Sequence, residues 1–229
     1  MAIALYGSQA RGTARTDSDI DVLQVVQTRP GKYSDGDVNV TAYNVNTLKE
    51  MAEQGSLFML HLRTDGYILS DPEGTLAGIF ADYQHPPHFR KAISELAAAG
   101  RALTVQDASL HEVGLRKLGI YVARTACYAV LAERGQPEFD PDVVAKILGI
   151  PSMTRALQMR LVPSRPDDLG ALFQAICDLL GEVPPAGTTL DSLAVSSFSE
   201  FPYASTLMTQ VLAGPEEGFE YTALAVPPI

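Results

Sequence analysis

Two short apolar segments near the N-terminus predict β-strands. Residues 2–6 (AIALY) are continuously apolar and lead into Gly7-Ser8, which is typical of a buried strand followed by a tight turn. Residues 20–26 (IDVLQVV) are apolar and rich in β-branched side chains, so they predict a second strand. Residues 27–36 contain Pro, Gly, Asp and Ser and predict a hairpin-type connection.

The next four segments complete a mixed pattern. Residues 37–44 (DVNVTAYN) alternate between apolar and polar side chains, as a half-buried strand does. Helical spacing of apolar residues follows over 45–52 and again over 57–61, and residues 66–69 predict a last short strand. The segment therefore predicts a small mixed β-sheet that is backed by helices.

The pattern changes at about Pro86, after which every clear segment has helical periodicity. Ser109 and Glu112 have the spacing of a capping box and predict the start of a long helix. Asp140-Pro141 predicts the start of the next helix and Gly149 its end. Two more helices are predicted at about 167–180 and 203–212. The fold class is thus α+β, with a domain over 1–85 and an all-helical domain over 86–229.

Composition and charge limit the classes of function. The chain has 229 residues, of which 46% are hydrophobic, so it can bury a sizeable core. Its net charge of −10 repels phosphate backbones at long range, and we expect no general nucleic-acid binding. No apolar segment is long enough for a membrane span, and no signal peptide is recognisable. We expect a cytoplasmic protein.

The candidate chemistry lies between Gly7 and Asp21. Asp19 and Asp21 alternate at the start of the second strand, so both carboxylates face the same side. Two close carboxylates favour a bound cation, and hard oxygen ligands select Mg²⁺ or Mn²⁺. Gly7 allows a tight turn near a phosphate, and the amide and hydroxyl groups of Ser8 can donate to phosphate oxygens. This combination is what phosphoryl or nucleotidyl transfer requires.

The residues Gly7-Ser8-Gln9-Ala10-Arg11-Gly12, followed by Ser18-Asp19-Ile20-Asp21, resemble the signature of the DNA polymerase beta-type nucleotidyltransferase superfamily. The closest resemblance is to its minimal members and to the aminoglycoside nucleotidyltransferases. It implies a nucleoside triphosphate (NTP) substrate, with ATP the expected donor, and Mg²⁺ (or Mn²⁺) at Asp19 and Asp21. It also implies transfer of the nucleoside monophosphate (NMP) to an acceptor, which the sequence does not identify.

Some residues of this region keep two interpretations. Arg11 either contacts the triphosphate or is solvated or ion-paired, and Ser18 either contacts the ligand or caps the turn. His61 is either a satisfied core or interdomain histidine or a catalytic one. Gly7, Ser8, Ser18 and Arg11 form the candidate nucleotide-binding set.

The resemblance also implies a third carboxylate on a later strand, and this chain has Asn39 at that place. Asn39 can bind a metal through its carbonyl oxygen, but it cannot accept a proton as a base. Asp37 lies two residues away on the same strand face and is the candidate replacement as a catalytic residue. Two functions stay open: an active nucleotidyltransferase, or a weakened or inactive member that acts as a binding module for a partner protein, as an antitoxin-like subunit would. Association as a homodimer or with a partner protein also stays open.

Overall fold

The structure is a computed structural model that describes residues 1–16, 18–27 and 30–214. The chain divides into two compact units, of which the first spans Met1–Pro87 and the second begins at His88. The first is a mixed sheet with helices, and the second is helical throughout its described length, which confirms the predicted α+β class. That the two units are separate domains stays a prediction.

The first unit contains a five-stranded sheet in the order β3-β4-β2-β1-β5. The strands are β1 (Ile3–Tyr6), β2 (Ile20–Val26), β3 (Gly31–Asp35), β4 (Val38–Asn44) and β5 (Tyr67–Ser70). Strands β2 and β4 run parallel, and the other neighbours run antiparallel. The apolar patterns therefore predicted β1, β2, β4 and β5 correctly.

The prediction that residues 27–36 form a hairpin-type connection is wrong, because Gly31–Asp35 is strand β3 and the flanking strands β2 and β4 run parallel. Residues 28 and 29 of this segment lie outside the described residues. Each residue of β3 is exposed, because the strand lies at the edge of the sheet. Its backbone pairs with β4 across a tight turn in which Gly36 has a φ of +58°. Without buried side chains on one face, the strand has no apolar alternation, and the sequence pattern gives no sign of it.

The described residues of the first unit also form four helices: α1 (Gly7–Arg11), α2 (Val45–Glu53), α3 (Leu57–Asp65) and α4 (Thr75–Ala81). Side-chain caps fix where α2 and α3 begin, because Asn44 accepts from the amide of Thr47 and Ser56 from that of Met59. Helix α2 contacts β4, α3 contacts β1, and both bury apolar side chains. Helix α3 is buried over residues 57–62, so it is a rigid support beneath β1.

The second unit contains helices α5 to α11 and three short 3₁₀ turns. The helices are α5 (Arg90–Gly100), α6 (Glu112–Glu133), α7 (Pro141–Leu148), α8 (Pro151–Gln158), α9 (Asp168–Leu180), α10 (Leu190–Ser197) and α11 (Pro202–Ala213). The predicted start of α7 is confirmed, because Asp140 accepts from the amides of Asp142 and Val143. None of the described helices of either unit is long and apolar enough to cross a membrane.

The predicted capping box at the start of α6 is wrong. Ser109 lies in a 3₁₀ turn over Ala108–Leu110, and α6 begins at Glu112 without a side-chain cap. The turn is closed by the amide of Leu110, which donates to the carbonyl oxygen of Asp107 at 2.9 Å. The carboxylate of Asp107 accepts from the amide of Leu190. Ser109 is therefore inside the preceding turn and not at the N-cap position.

Candidate functional site

The junction between β1 and α1 brings Gly7 against the carboxylate of Asp21. Tyr6 pairs with Asp21 in the antiparallel β1–β2 register, so the next residue, Gly7, lies beside this carboxylate. Gly7 has a φ of +74°, and a Cβ atom added to it would lie 2.7 Å from Asp21 Oδ2. The position therefore requires glycine for two reasons, its backbone conformation and the space that Asp21 occupies.

The parallel pairing of β2 with β4 brings the remaining polar candidates to one end of the sheet. Asp21 pairs with Asn39 in the register, and the amide of Ile20 donates to the carbonyl oxygen of Asp37 at 2.8 Å. This hydrogen bond extends the pairing of β2 with β4 by one residue. Asp19, directly before β2, therefore lies beside Asp37, directly before β4. Asp19 and Asp37 are exposed, whereas Asp21 and Asn39 are half-buried.

Asn39 is also bonded to the edge strand. The hydroxyl of Ser34 donates to Asn39 Oδ1 at 2.8 Å, and the two residues are register partners on β3 and β4. A side-chain carbonyl oxygen has two lone pairs, so Asn39 Oδ1 retains one for a further ligand. Sequence reasoning missed Ser34, because it lies in a segment without any strand pattern.

The donor set fits Mg²⁺. Among the residues that the structure describes, no group of three or more His, Cys, Asp and Glu side chains is arranged to hold a metal ion. Magnesium sites in phosphoryl-transfer enzymes commonly use one or two carboxylates together with substrate phosphates. Asp19 and Asp21 supply two carboxylates, and Asn39 adds a neutral oxygen beside Asp21. The carboxylate of Asp21 also faces the backbone of Gly7.

Ser8 and Ser18 differ in what the protein already bonds to them. Ser8 is the second residue of α1, and among the described residues no hydrogen bond engages its hydroxyl group. The hydroxyl of Ser18 accepts from the amide of Arg15 at 2.9 Å and closes a turn before Asp19. Ser8 is thus available to donate to a phosphate, whereas Ser18 orders the turn. The ligand contact of either residue stays a prediction.

Arg11 is tied to helix α3. Its Nη1 donates to Asp65 Oδ2 at 2.7 Å and lies 3.3 Å from His61 Nε2, and these side chains are 7–15% exposed. Burial acts to raise the pKa of Asp65, but the hydrogen bonds from His61 and Arg11 outweigh it and hold the pKa below its ordinary value. The guanidinium group is thus ion-paired, and its predicted phosphate contact stays a prediction.

The link between Arg11 and Asp65 is a second feature that sequence reasoning missed. His61 and Asp65 are four residues apart, so they share one face of α3, and this spacing was the available signal. Their partner Arg11 lies about fifty residues earlier in the chain, and no local pattern connects it to them. Only the packing of α3 beside β1 brings the three side chains together.

Comparison with known proteins identifies a domain family for the N-terminal part of the chain. Residues 1–56 match the family model of the nucleotidyltransferase domain, within the superfamily of polymerase beta-like enzymes. The match covers β1, α1, β2, β3, β4 and α2, and it confirms the resemblance that Gly7–Asp21 carries. No curated protein matches the chain significantly.

Proposed function

Since residues 1–56 belong to the nucleotidyltransferase domain family, we propose that this protein is an active, Mg²⁺-dependent nucleotidyltransferase. It transfers the NMP of an NTP, with ATP the expected donor, to an acceptor and releases pyrophosphate. The acceptor is a small hydroxylated molecule or a protein side chain. The protein works in the cytoplasm.

One observation carries the proposal: the backbone of Gly7 is packed against the carboxylate of Asp21. A Cβ on Gly7 would lie 2.7 Å from Asp21 Oδ2, so the phosphate-binding turn and the metal-binding strand meet without an intervening side chain. A triphosphate at this turn would have its charge beside a carboxylate. Such a contact is favourable only when a divalent cation is bound between them, and Mg²⁺ supplies this neutralisation when it is present.

Each residue of the site then has a defined task. Asp19 and Asp21 hold the metal, and the amide and hydroxyl groups of Ser8 donate to phosphate oxygens. The acceptor oxygen forms a bond to the α-phosphorus, while the bond from that phosphorus to the bridging oxygen of the β-phosphate breaks. Pyrophosphate leaves with the electron pair, and Asp37 accepts the proton of the acceptor hydroxyl.

A second function is favoured by Asn39, which stands beside Asp21 without a carboxylate and accepts a hydrogen bond from Ser34. An amide in this position adds no charge to the metal site and cannot accept a proton. In this alternative the protein binds the nucleotide but does not transfer it, and it works as a binding module in a homodimer or with a partner protein.

The two functions are separated by an assay with nucleotides that are labelled at the α-phosphate. The protein is incubated with each NTP, with Mg²⁺ and with a panel of acceptors that includes the protein itself. Label transfer with release of pyrophosphate supports the enzyme. Mg²⁺-dependent binding of the nucleotide without release of pyrophosphate on any acceptor supports the binding module. Absence of binding for all NTPs would contradict both.

A further inference from the structure

Helix α1, which carries Gly7 and Ser8, is anchored to helix α3 by the residue at its N-terminal end. Tyr6 is the residue directly before α1, and its ring packs edge-on against Phe58 and His61 of α3, with centroid distances of 5.6 and 5.8 Å. The Tyr6 hydroxyl also lies 3.4 Å from Thr41 Oγ1 on β4. The chain therefore enters the turn from a fixed position.

Helix α1 is also anchored to α3 by the residue at its C-terminal end. Arg11, the last residue of α1, makes a 2.7 Å ion pair with Asp65 and lies 3.3 Å from His61 Nε2. His61 thus contacts the residues on both sides of the Gly7–Ser8 segment. Because α1 has only five residues, its own backbone hydrogen bonds hold it weakly, and its position depends on these contacts.

We propose that His61 and Asp65 are positioning residues of the nucleotide site: through Tyr6 and Arg11 they hold Gly7 and Ser8 against Asp21. The inference rests on the proposed function and assigns a role to residues outside the matched segment 1–56. Arg11 in this arrangement supports the turn through its ion pair with Asp65. Buried supporting residues of this kind usually change ligand affinity by about 10–100-fold when they are altered.

The test uses the full chain and the substitution Asp65→Asn, which keeps the shape of the side chain and removes its charge. Two quantities are measured on the folded protein: the Kd for Mg²⁺-ATP, and hydrogen exchange at the amides of Gly12 and Thr13 without nucleotide. These amides report on α1, because they donate to the carbonyl oxygens of Gln9 and Ser8 at 3.2 and 3.0 Å. The amide of Val25, bonded to Ala2 at 2.8 Å, serves as the reference in the sheet.

The matched control is Asp168→Asn in the second unit. Asp168 pairs with Arg116 at 2.6 Å, and these side chains are 4% and 15% exposed, against 10% and 15% for Asp65 and Arg11. The control therefore breaks a similarly buried ion pair that belongs to the second unit. We expect it to lower the melting temperature without changing either the Kd or the exchange rates at Gly12 and Thr13.

For Asp65→Asn we expect exchange at Gly12 and Thr13 to rise at least about tenfold, with the Val25 amide unchanged, and the Kd to rise by about 10–100-fold. Asp65→Glu, which restores the charge, should recover part of both losses. If either the exchange rates or the Kd stay at their wild-type values in the folded variant, the positioning role is overturned.

If Asp65→Asn fails to fold, His61→Phe replaces it, because this variant keeps the ring contact with Tyr6 and removes the nitrogen near Arg11. The Kd for Mg²⁺-ATP and the exchange rates at Gly12 and Thr13 are measured for it in the same way and judged by the same criteria. If the wild-type protein itself binds no nucleotide, the proposed function fails, and the positioning role fails with it. Wild-type binding that Asp65→Asn and His61→Phe leave unchanged overturns the positioning role alone.

Discussion

The Cα atom of Gly7 lies so close to Asp21 that a Cβ would be 2.7 Å from the carboxylate oxygen Oδ2. This contact joins the turn after β1 to the strand that carries the acidic pair. The structure also contains a glycine with nearly the same φ and no such contact. Gly12 has a φ of +71°, compared with +74° for Gly7, and nothing lies within 4 Å of the position that a Cβ on Gly12 would take.

We expect Gly7→Ala to weaken binding of Mg²⁺-ATP by about tenfold or more, because the new methyl group must displace Asp21 or the turn. Gly12→Ala has a similar backbone cost, about 1 kcal/mol, without the steric conflict. Both variants should therefore lose stability in thermal unfolding, but only Gly7→Ala should lose affinity in calorimetric titration. Equal affinities of the two variants would show that the contact with Asp21 does not matter for the nucleotide.

A second prediction concerns the acidic pair. Asp19→Asn and Asp21→Asn should each abolish Mg²⁺-dependent binding of ATP and leave the fold intact. Without Mg²⁺ the melting temperature should hold or rise, because one of two like charges has been removed. The control is Asp82→Asn, at an exposed position after α4. Stabilisation by Mg²⁺-ATP in thermal unfolding is the measurement, and wild-type stabilisation in both variants would contradict the assignment.

The sequence predicted the interior strands from their buried side chains, and the edge strand β5 from its apolar residues although most of β5 is exposed. Strands β1, β2 and β4 have apolar or alternating patterns because they lie in the interior of the sheet. Strand β3 is exposed at every residue and has no such pattern. Helix α5 was not predicted individually, because its buried face is largely alanine and glycine, whose contrast with polar residues is weak.

The sequence predicted those residues of the candidate site that lie close together along the chain. Gly7, Ser8, Asp19 and Asp21 lie close together in the chain, so their spacing is visible in the sequence. Ser34 and Asp65 act through contacts with Asn39 and Arg11 that depend on sheet register and helix packing. Neither contact has a signature in a single sequence, because the first requires an edge strand without an apolar pattern and the second joins residues 54 positions apart.

A third prediction concerns a buried carboxyl group in the second unit. Glu95 is 5% exposed, and its Oε2 accepts from the amide of Ala204 at 2.9 Å. Burial raises the pKa of Glu95, and the hydrogen bonds from Ala204 and Tyr203 only partly offset this effect. A carboxyl group whose pKa is higher in the folded than in the unfolded protein stabilises the fold while it is protonated. This contribution is complete below the pKa of the unfolded state, about 4.3, and is lost as the pH rises through the pKa of the folded state.

Glu95→Gln should therefore become more stable relative to the wild type as the pH rises from about 4 to 7, since glutamine stays neutral and still accepts the bond from Ala204. The measurement is the melting temperature of both proteins across this range. Glu200→Gln, at an exposed position, should follow the wild-type curve. Parallel curves for Glu95→Gln and the wild type would contradict the raised pKa.

The last prediction decides between an active enzyme and a binding module, and it concerns the residue beside Asp21. Asn39→Asp places a third carboxylate next to the acidic pair, with the Ser34 hydroxyl still able to donate to it. In an active enzyme this change should raise the rate of pyrophosphate release, since the added charge favours Mg²⁺ and the added base can contribute up to about 10²–10⁴-fold. Asp37→Asn should lower the rate, because Asp37 is the proposed proton acceptor.

In a binding module, Asn39→Asp should tighten binding of Mn²⁺, whereas pyrophosphate release stays at background. Asn39→Ala separates the effect of charge from loss of the amide, because it removes the bond from Ser34 without adding a carboxylate. Turnover by the wild type that neither Asn39→Asp nor Asp37→Asn alters would show that neither residue completes the catalytic site.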